Sequence, residues 1–146
     1  MAKQLQITVY TDGGSRGNPG PAAVGIVIKY DTKTKEYAKC IGKKTNNEAE
    51  YGALIYALEK VNKLIGKTKA KQADVVCYSD SELMVRQLNH QYKLKNETIK
   101  DLFIKIWNLS LDFKSAKFYH IRREYNKQAD KLLNQALDRE HSKFLF

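Results

Sequence analysis

The feature that most constrains the fold is a change in hydrophobic periodicity near residue 45. Residues 4–12, QLQITVYTD, alternate apolar and polar side chains, which predicts a strand. Residues 22–30 and 36–42 read as two more strands, so the first third of the chain predicts an antiparallel meander. Between the first two strands, residues 13–21 (GGSRGNPGP) predict a turn-rich loop.

After residue 45 the apolar period lengthens to about 3.6, and helices alternate with strands. Thr45 and Glu48 fit a capping box at the start of the first helix, and Gly66 fits its end. The apolar face of the third helix is bordered by Trp107, for which core packing is favoured over base stacking. The pattern predicts helices over 46–65, 81–89, 97–113 and 126–140, and strands over 73–80 and 116–122.

Strands that alternate with helices are normally parallel to one another. The order of elements therefore predicts an α/β fold in which three antiparallel strands and then two parallel strands form one mixed sheet, flanked by helices. With 146 residues the chain is long enough for one domain with a real core.

The composition of the chain indicates its class of binding partner and its cellular compartment. The net charge of +10 favours a polyanionic partner, and nucleic acid is the leading candidate. The sequence has no apolar signal core and no stretch long enough to span a membrane, which predicts a cytoplasmic protein. Cys40 and Cys77 lack CxxC spacing, so we expect reduced thiols rather than a thiolate metal site.

One carboxylate, that of Glu50, falls on the predicted buried side of a helix, where an ordinary surface acid would not lie. Steps of four, three and four residues from Glu50 reach Leu54, Ala57 and Val61, so Glu50 falls on the buried stripe of the first helix. An inward carboxylate without a basic partner costs several kcal/mol unless it is paired or bound to metal. Glu50 therefore predicts a site rather than a solvated face.

Three further acids can join Glu50, although each has an ordinary structural explanation. Asp12 precedes two glycines as turn residues do, Asp80 suits a helix start, and Asp130 borders an apolar face. If the strands 4–12 and 73–80 are parallel neighbours, their ends lie roughly 4.8 Å apart and bring Asp12 and Asp80 together. Such hard oxygen ligands suit Mg²⁺ or Mn²⁺, and two such ions can catalyse phosphodiester cleavage.

Four segments of the chain resemble the motif blocks of type 1 ribonuclease H: TDGGSRGNPG (11–20), TNNEAEYGAL (45–54), SDSELMVRQL (79–88) and REYNKQADKLLNQA (123–136). The resemblance implies a ribonuclease H-like fold, with residues 1–142 as the catalytic domain and 143–146 as an apolar tail. It implies hydrolysis of the RNA strand of RNA–DNA hybrids, leaving 5′-phosphate and 3′-hydroxyl ends. It also implies that the metal ligands are Asp12, Glu50, Asp80 and Asp130, with two ions bound beside the substrate.

The same resemblance implies a set of substrate-binding residues: Gly13, Gly14, Ser15, Asn18, Thr45, Asn46, Asn47 and Asn126. The glycines would let the main chain approach a sugar-phosphate closely, or they serve only a tight turn. Uncharged polar groups beside an acidic centre can recognise 2′-hydroxyls. Without the resemblance, Asn46 and Asn47 read equally well as helix-start residues.

The chain departs from the family pattern in three places. Several members carry a basic insertion after the second helix, where this chain has the short connector His90–Asn96. Other basic residues must then grip the hybrid, or else are merely solvated, and the candidates are Lys93, Lys95, Arg122 and Arg123.

Several members also carry an auxiliary His before the last acid. Here Arg123, Glu124 and Tyr125 occupy that place, which leaves Glu124 or Arg123 as possible auxiliaries. His120 falls inside a strand and is given no such role. Glu82 replaces a Gln of some members, which leaves the substrate contact there open.

We expect the chain to be a monomer. Two rival functions remain at this stage: a related nuclease that also or mainly cleaves double-stranded RNA, and a nucleic-acid-binding module without catalytic activity, in which the acidic cluster is a relic. A pure binder of polyanions gains nothing from clustered negative charge, so the complete set of four acids argues against the second rival.

Overall fold

The computed structural model describes residues 4–144, which form five strands, four α-helices and one short 3₁₀ helix. The strands are β1 (Leu5–Ser15), β2 (Gly20–Tyr30), β3 (Lys33–Lys44), β4 (Ala73–Ser79) and β5 (Ser115–His120). The helices are α1 (Asn46–Ala70), α2 (Glu82–Leu88), α3 (Glu97–Ser110) and α4 (Lys127–Phe144), and the 3₁₀ helix is Arg123–Tyr125.

The sheet has the order β3-β2-β1-β4-β5. The pairs β1/β2 and β2/β3 are antiparallel, and the pairs β1/β4 and β4/β5 are parallel. This arrangement confirms the predicted mixed sheet with β1 at its centre. Because β1 and β4 are parallel neighbours, their carboxyl ends lie at the same edge of the sheet.

Helices cover both faces of the sheet, which gives two apolar layers. The larger layer packs α1 against one face and buries Ile7, Val9 and Leu58 completely. The smaller layer packs α4 against the other face, where Leu133 lies next to Ala23. The polar site therefore lies at one end of a sheet that is held from both sides.

Helix α1 begins as predicted and ends later than predicted. Thr45 and Glu48 form both hydrogen bonds of the capping box. The expected end at Gly66 is wrong, because Gly66 adopts the non-helical φ of 79° and the helical path resumes to Ala70. Glycine takes this φ without steric cost, so it permits a local break rather than a stop.

Two other expectations are wrong. The predicted loop over 13–21 is shorter, because β1 continues to Ser15 and pairs it with Ala22 of β2. Trp107 does not pack in the core, since 57% of its surface is exposed on α3. Its border position on the helix left both orientations open.

The remaining global expectations concern thiols, membranes and the tail. Cys40 and Cys77 are free, as predicted. Between residues 4 and 144, no helix combines the length and the apolar character needed to cross a membrane. The predicted tail falls partly outside the described residues, although α4 continues as far as Phe144.

Candidate active site

Two glycines bring helices into main-chain contact with the centre of the sheet. A Cβ on Gly13 would lie 2.0 Å from the carbonyl oxygen of Ala49 in α1, and a Cβ on Gly25 would lie 2.0 Å from that of Ala129 in α4. Only glycine tolerates such approaches. Glu50 follows Ala49 directly and Asp130 follows Ala129, so each contact sets the position of one acid.

Three carboxylates from three separate elements converge at this edge. Asp12 lies near the end of β1, Glu50 lies in the first turns of α1, and Asp80 directly follows β4. Their nearest ligand oxygens all lie within 4.8 Å of one another. The predicted meeting of Asp12 with Asp80 and the predicted inward position of Glu50 are both present in the fold.

Glu50 is held by hydrogen bonds from its neighbours. The N–H of Gly13 donates to Glu50 Oε1 at 2.6 Å, and the hydroxyl of Ser79 donates to Oε2 at 3.4 Å. Asp12 and Glu50 are both buried, with 7% and 8% of their surfaces exposed. The pair is thus preorganised by main-chain and hydroxyl donors rather than by a basic side chain.

Asp130 stands apart from these three carboxylates. It is exposed and does not belong to the group within 4.8 Å, although it lines the same cleft, whose volume is about 480 Å³. Asn134 Nδ2 donates to Asp130 Oδ1 at 3.2 Å from one turn further along α4. Asp130 therefore faces the shared cleft from its rim.

The three clustered carboxylates carry negative charge that no ion pair in the described part of the chain offsets. Burial first, and then the charges of Glu50 and Asp80, raise the pKa of Asp12 well above its usual range. Burial also raises the pKa of Glu50, although the Gly13 N–H opposes this shift. Within residues 4–144, no Lys or Arg forms an ion pair with Asp12, Glu50 or Asp80 at 4.0 Å or less.

Asp80 shows the same effect in a more open setting. Desolvation raises its pKa, while the positive charge of Arg123 is the largest opposing influence. Carboxylates that cannot all ionise together are good ligands for a hard divalent cation, which restores the missing positive charge. The residues present therefore fit Mg²⁺ or Mn²⁺ better than any softer metal.

Four of the eight predicted substrate residues line the cleft around the carboxylates. The cleft is lined by Gly13, Gly14, Ser15 and Asn46, among others. Asn46 Oδ1 accepts hydrogen bonds from the N–H and the hydroxyl of Ser15 at 2.9 and 3.1 Å. Asn18 Oδ1 in turn accepts from the Asn46 N–H at 3.0 Å, so the β1–β2 turn is tied to the start of α1.

Two predicted substrate residues lie just beyond this group. Thr45 is the N-cap of α1, and its hydroxyl accepts from Glu48 N–H. Asn47 lines a neighbouring cavity of about 470 Å³ together with Lys93 and Lys95. The sequence-predicted basic residues of the connector thus lie beside the first turn of α1.

Asn126 does not have the exposure expected of a substrate contact. Its side chain is buried, with 2% of the residue exposed, and Nδ2 donates to the Thr11 carbonyl at 2.9 Å. This bond fastens the segment before α4 to the central strand. We therefore propose a positioning role for Asn126, and its predicted contact with substrate stays a prediction.

The possible auxiliary residues have different positions. Arg123 lines the cleft, whereas Glu124 does not and instead lies 4.0 Å from the guanidinium of Arg122. Glu82 pairs with Arg86 at 2.9 Å and is not among the residues that line the cleft. The sequence reading missed Arg16 and Asn134, which also line the cleft, because neither belongs to an apolar or acidic pattern.

The chain matches a known family model and several known proteins over most of its length. A family model described as reverse transcriptase-like matches residues 10–136. A bifunctional protein of Mycobacterium tuberculosis is 36% identical over 137 residues, which cover 92% of this chain and 36% of that protein. The chain thus spans about a third of the length of this mycobacterial relative.

Two other matches cover nearly the whole of both partners. The ribonuclease H of Shewanella halifaxensis is 33% identical over 153 residues, covering 94% of this chain and 89% of the relative. A crystal structure of LC11-RNase H1 in complex with an RNA/DNA hybrid superposes with a TM-score of 0.85 and 44% identity, covering 92% of this chain and 98% of the other. Sequence matches over nearly the full length, together with the same sheet and the same acidic edge, establish that the chain belongs to the ribonuclease H family.

Proposed function

We propose that this chain is a metal-dependent endonuclease that hydrolyses the RNA strand of RNA–DNA hybrids and leaves 5′-phosphate and 3′-hydroxyl ends. The observation that carries the proposal is the convergence of Asp12, Glu50 and Asp80 within 4.8 Å in an open cleft. Family membership and the hybrid bound to the related LC11-RNase H1 support the choice of substrate.

The donor set defines what the cleft can hold. Asp12, Glu50 and Asp80, with Asp130 at the rim, would bind two Mg²⁺ or Mn²⁺ ions when substrate is present. Such ions supply an activated water and stabilise the leaving oxygen of a phosphodiester. The protein contributes the arrangement of carboxylates, which the hydrogen bonds of Gly13 and Ser79 to Glu50 hold in place before substrate arrives.

The uncharged groups around the acids would select the RNA strand. Because Ser15 engages Asn46 Oδ1, the Nδ2 donor of Asn46 is the group left for a substrate oxygen. A 2′-hydroxyl can accept and donate hydrogen bonds, and it is what distinguishes RNA from DNA at a given site. Gly13 and Gly14 present main chain rather than side-chain bulk at the same wall of the cleft.

The test compares end-labelled hybrid, duplex RNA and duplex DNA of one sequence, each incubated with Mg²⁺, Mn²⁺ or EDTA. We expect cleavage of the RNA strand of the hybrid with a divalent ion and none with EDTA, and Asp12→Asn serves as the inactive control. Preferred cleavage of duplex RNA would favour the related nuclease instead. Binding of hybrid without cleavage under any metal would refute the proposed activity.

The proposal also includes a cytoplasmic location and a monomeric state. The free thiols of Cys40 and Cys77 suit a reducing compartment. Sedimentation of the purified chain would test the oligomeric state directly.

A further inference from the structure

Two lysines and two tyrosines meet where α1 crosses β3, and we call these four residues the α1–β3 seam: Tyr37, Lys39, Tyr56 and Lys60. Lys39 Nζ lies over the ring of Tyr56, 5.3 Å from its centroid. Lys60 Nζ lies 4.9 Å from the centroid of Tyr37 and 5.4 Å from that of Tyr56. The two rings contact each other edge to face, with centroids 6.4 Å apart.

The seam concentrates positive charge without an acidic partner. Within the described residues, neither Lys39 nor Lys60 has a carboxylate oxygen within 4.0 Å. Both ammonium groups are nevertheless held against the same Tyr56 ring, 5.3 and 5.4 Å from its centroid, so this ring has two like charges around it. The aromatic faces favour these positions, and a bound polyanion would offset the repulsion between them.

The helical part of the seam lies on the same helix, α1, as Asn46 and Glu50 of the candidate active site. Residues 48, 52, 56 and 60 follow one another at helical spacing along α1, and a Cβ on Gly52 would lie 3.4 Å from Ile41 of β3. The same line begins beside Thr45 and Asn46, where the cleft opens. Exposed Lys43 and Lys44 at the end of β3 continue the positive charge towards that opening.

The ammonium groups of the seam suit binding to a phosphate backbone rather than to bases. Tyr37 and Tyr56 are half-buried, and ammonium groups occupy their faces, so the rings are not free platforms for base stacking. Lysines on an edge strand also discourage pairing between sheets. That explanation suits Lys39 but not Lys60, which lies on a helix.

We propose that the α1–β3 seam binds the phosphate backbone of nucleic acid that extends beyond the cleft. The inference rests on the proposed function, since it assumes that the cleft holds the hybrid. From Thr45 to Lys60 the helix rises about 22 Å. That length corresponds to roughly six nucleotide steps of a duplex strand.

The experiment measures binding as a function of salt, by fluorescence anisotropy, in an Asp12→Asn background that prevents turnover. The probes are a hybrid just long enough to fill the cleft and the same hybrid extended on both sides by more than the length of the seam. The test variant is Lys39→Gln with Lys60→Gln, which removes two charges and keeps long side chains over the rings. The matched control is Lys105→Gln with Lys114→Gln, which removes the same charge from exposed positions outside the seam.

We expect the test variant to lower the slope of log Kd against log salt by roughly two for the extended hybrid. It should bind the short hybrid as the parent does, and Lys39→Arg with Lys60→Arg should restore the slope. Equal slopes for the test and control variants on the extended hybrid would overturn the inference. Thermal melts of each variant show whether it is folded, so that a change in binding can be assigned to the lost charges.

This outcome is separable from failure of the proposed function. With Asp12 intact, cleavage of the short hybrid tests the cleft alone, and the lysine variants should cleave it at the parent rate. If no hybrid is cleaved, the proposed activity fails, while the salt slopes still decide whether the seam binds the backbone.

Discussion

Replacing Asp12 by Asn should make the metal-free protein more stable while abolishing its activity. Asp12 is 7% exposed and lies within 4.8 Å of both Glu50 and Asp80. An amide at this position keeps the shape of the side chain but cannot carry the negative charge. The change therefore removes repulsion inside the cleft together with a metal ligand.

The size of the gain can be worked out for either state of Asp12, first as an ionised carboxylate and then as a protonated carboxyl. Two unit charges at 4.8 Å repel by about 3.5 kcal/mol at an effective dielectric near 20. Keeping a buried carboxyl protonated at pH 7, against an ordinary pKa near 3.8, costs up to about 4 kcal/mol. We therefore expect a gain in free energy of unfolding of about 2–4 kcal/mol, which raises Tm by roughly 5–12 °C.

The gain should depend on pH with a definite sign. The folded-state pKa of Asp12 is raised by burial and by Glu50, so the folded protein binds more protons than the unfolded chain above about pH 4. The free energy of unfolding of the parent then falls as the pH rises towards the folded pKa. Asp12→Asn lacks this proton, so its advantage should grow from pH 4 to pH 8 in EDTA.

The assay is thermal unfolding followed by circular dichroism at several pH values, with EDTA or with Mg²⁺. Asp74→Asn is the matched control, because the Ser115 and Gln4 side chains lower the pKa of Asp74, and its loss should give no comparable gain. Mg²⁺ should raise the Tm of the parent more than that of Asp12→Asn. An advantage in EDTA that is absent, or that shrinks as the pH rises, would refute the reasoning.

Three further changes test other parts of the site. Gly13→Ala should lower the free energy of unfolding by more than about 3 kcal/mol, because its Cβ would lie 2.0 Å from a main-chain oxygen. Gly14→Ala is the control: its Cβ would lie 3.6 Å from the nearest atom, so the free energy of unfolding should change by less than about 0.5 kcal/mol. Denaturant unfolding measures both. Asn126→Ala should cost about 1–3 kcal/mol in the same assay, because the Thr11 carbonyl loses its buried donor. Asp130→Asn should abolish hybrid cleavage yet change stability by less than about 0.5 kcal/mol, since the residue is exposed; unchanged cleavage would remove it from the ligand set.

The parts of the fold that the sequence predicted correctly are those in which local pattern and burial agree. The alternation in β1 and the helical stripe containing Glu50 each required one face to be apolar, and the fold preserves both faces. The capping box of α1 involves residues three apart, so the sequence shows it directly. These features depend on neighbours along the chain.

The features that the sequence did not reveal are those that depend on contacts between residues far apart in the chain. Residues 13–15 look like a loop, yet pairing with β2 keeps them in the strand, from Gly13 with Val24 to Ser15 with Ala22. Burial of Asn126 depends on a carbonyl 115 positions earlier, which no local pattern reveals. The exposure of Trp107 likewise depends on which face of α3 meets α1.

The contacts of Gly13 and Gly25 have a consequence for how this site can change over evolutionary time. Both acids next to these contacts, Glu50 and Asp130, are positioned by main-chain atoms pressed against glycine, not by the shapes of core side chains. Apolar residues elsewhere in α1 and α4 could then be exchanged, by drift or by a protein engineer, with little effect on the separation of the acids. Divergence of the core and retention of the chemistry are compatible in this architecture as long as the two glycines remain.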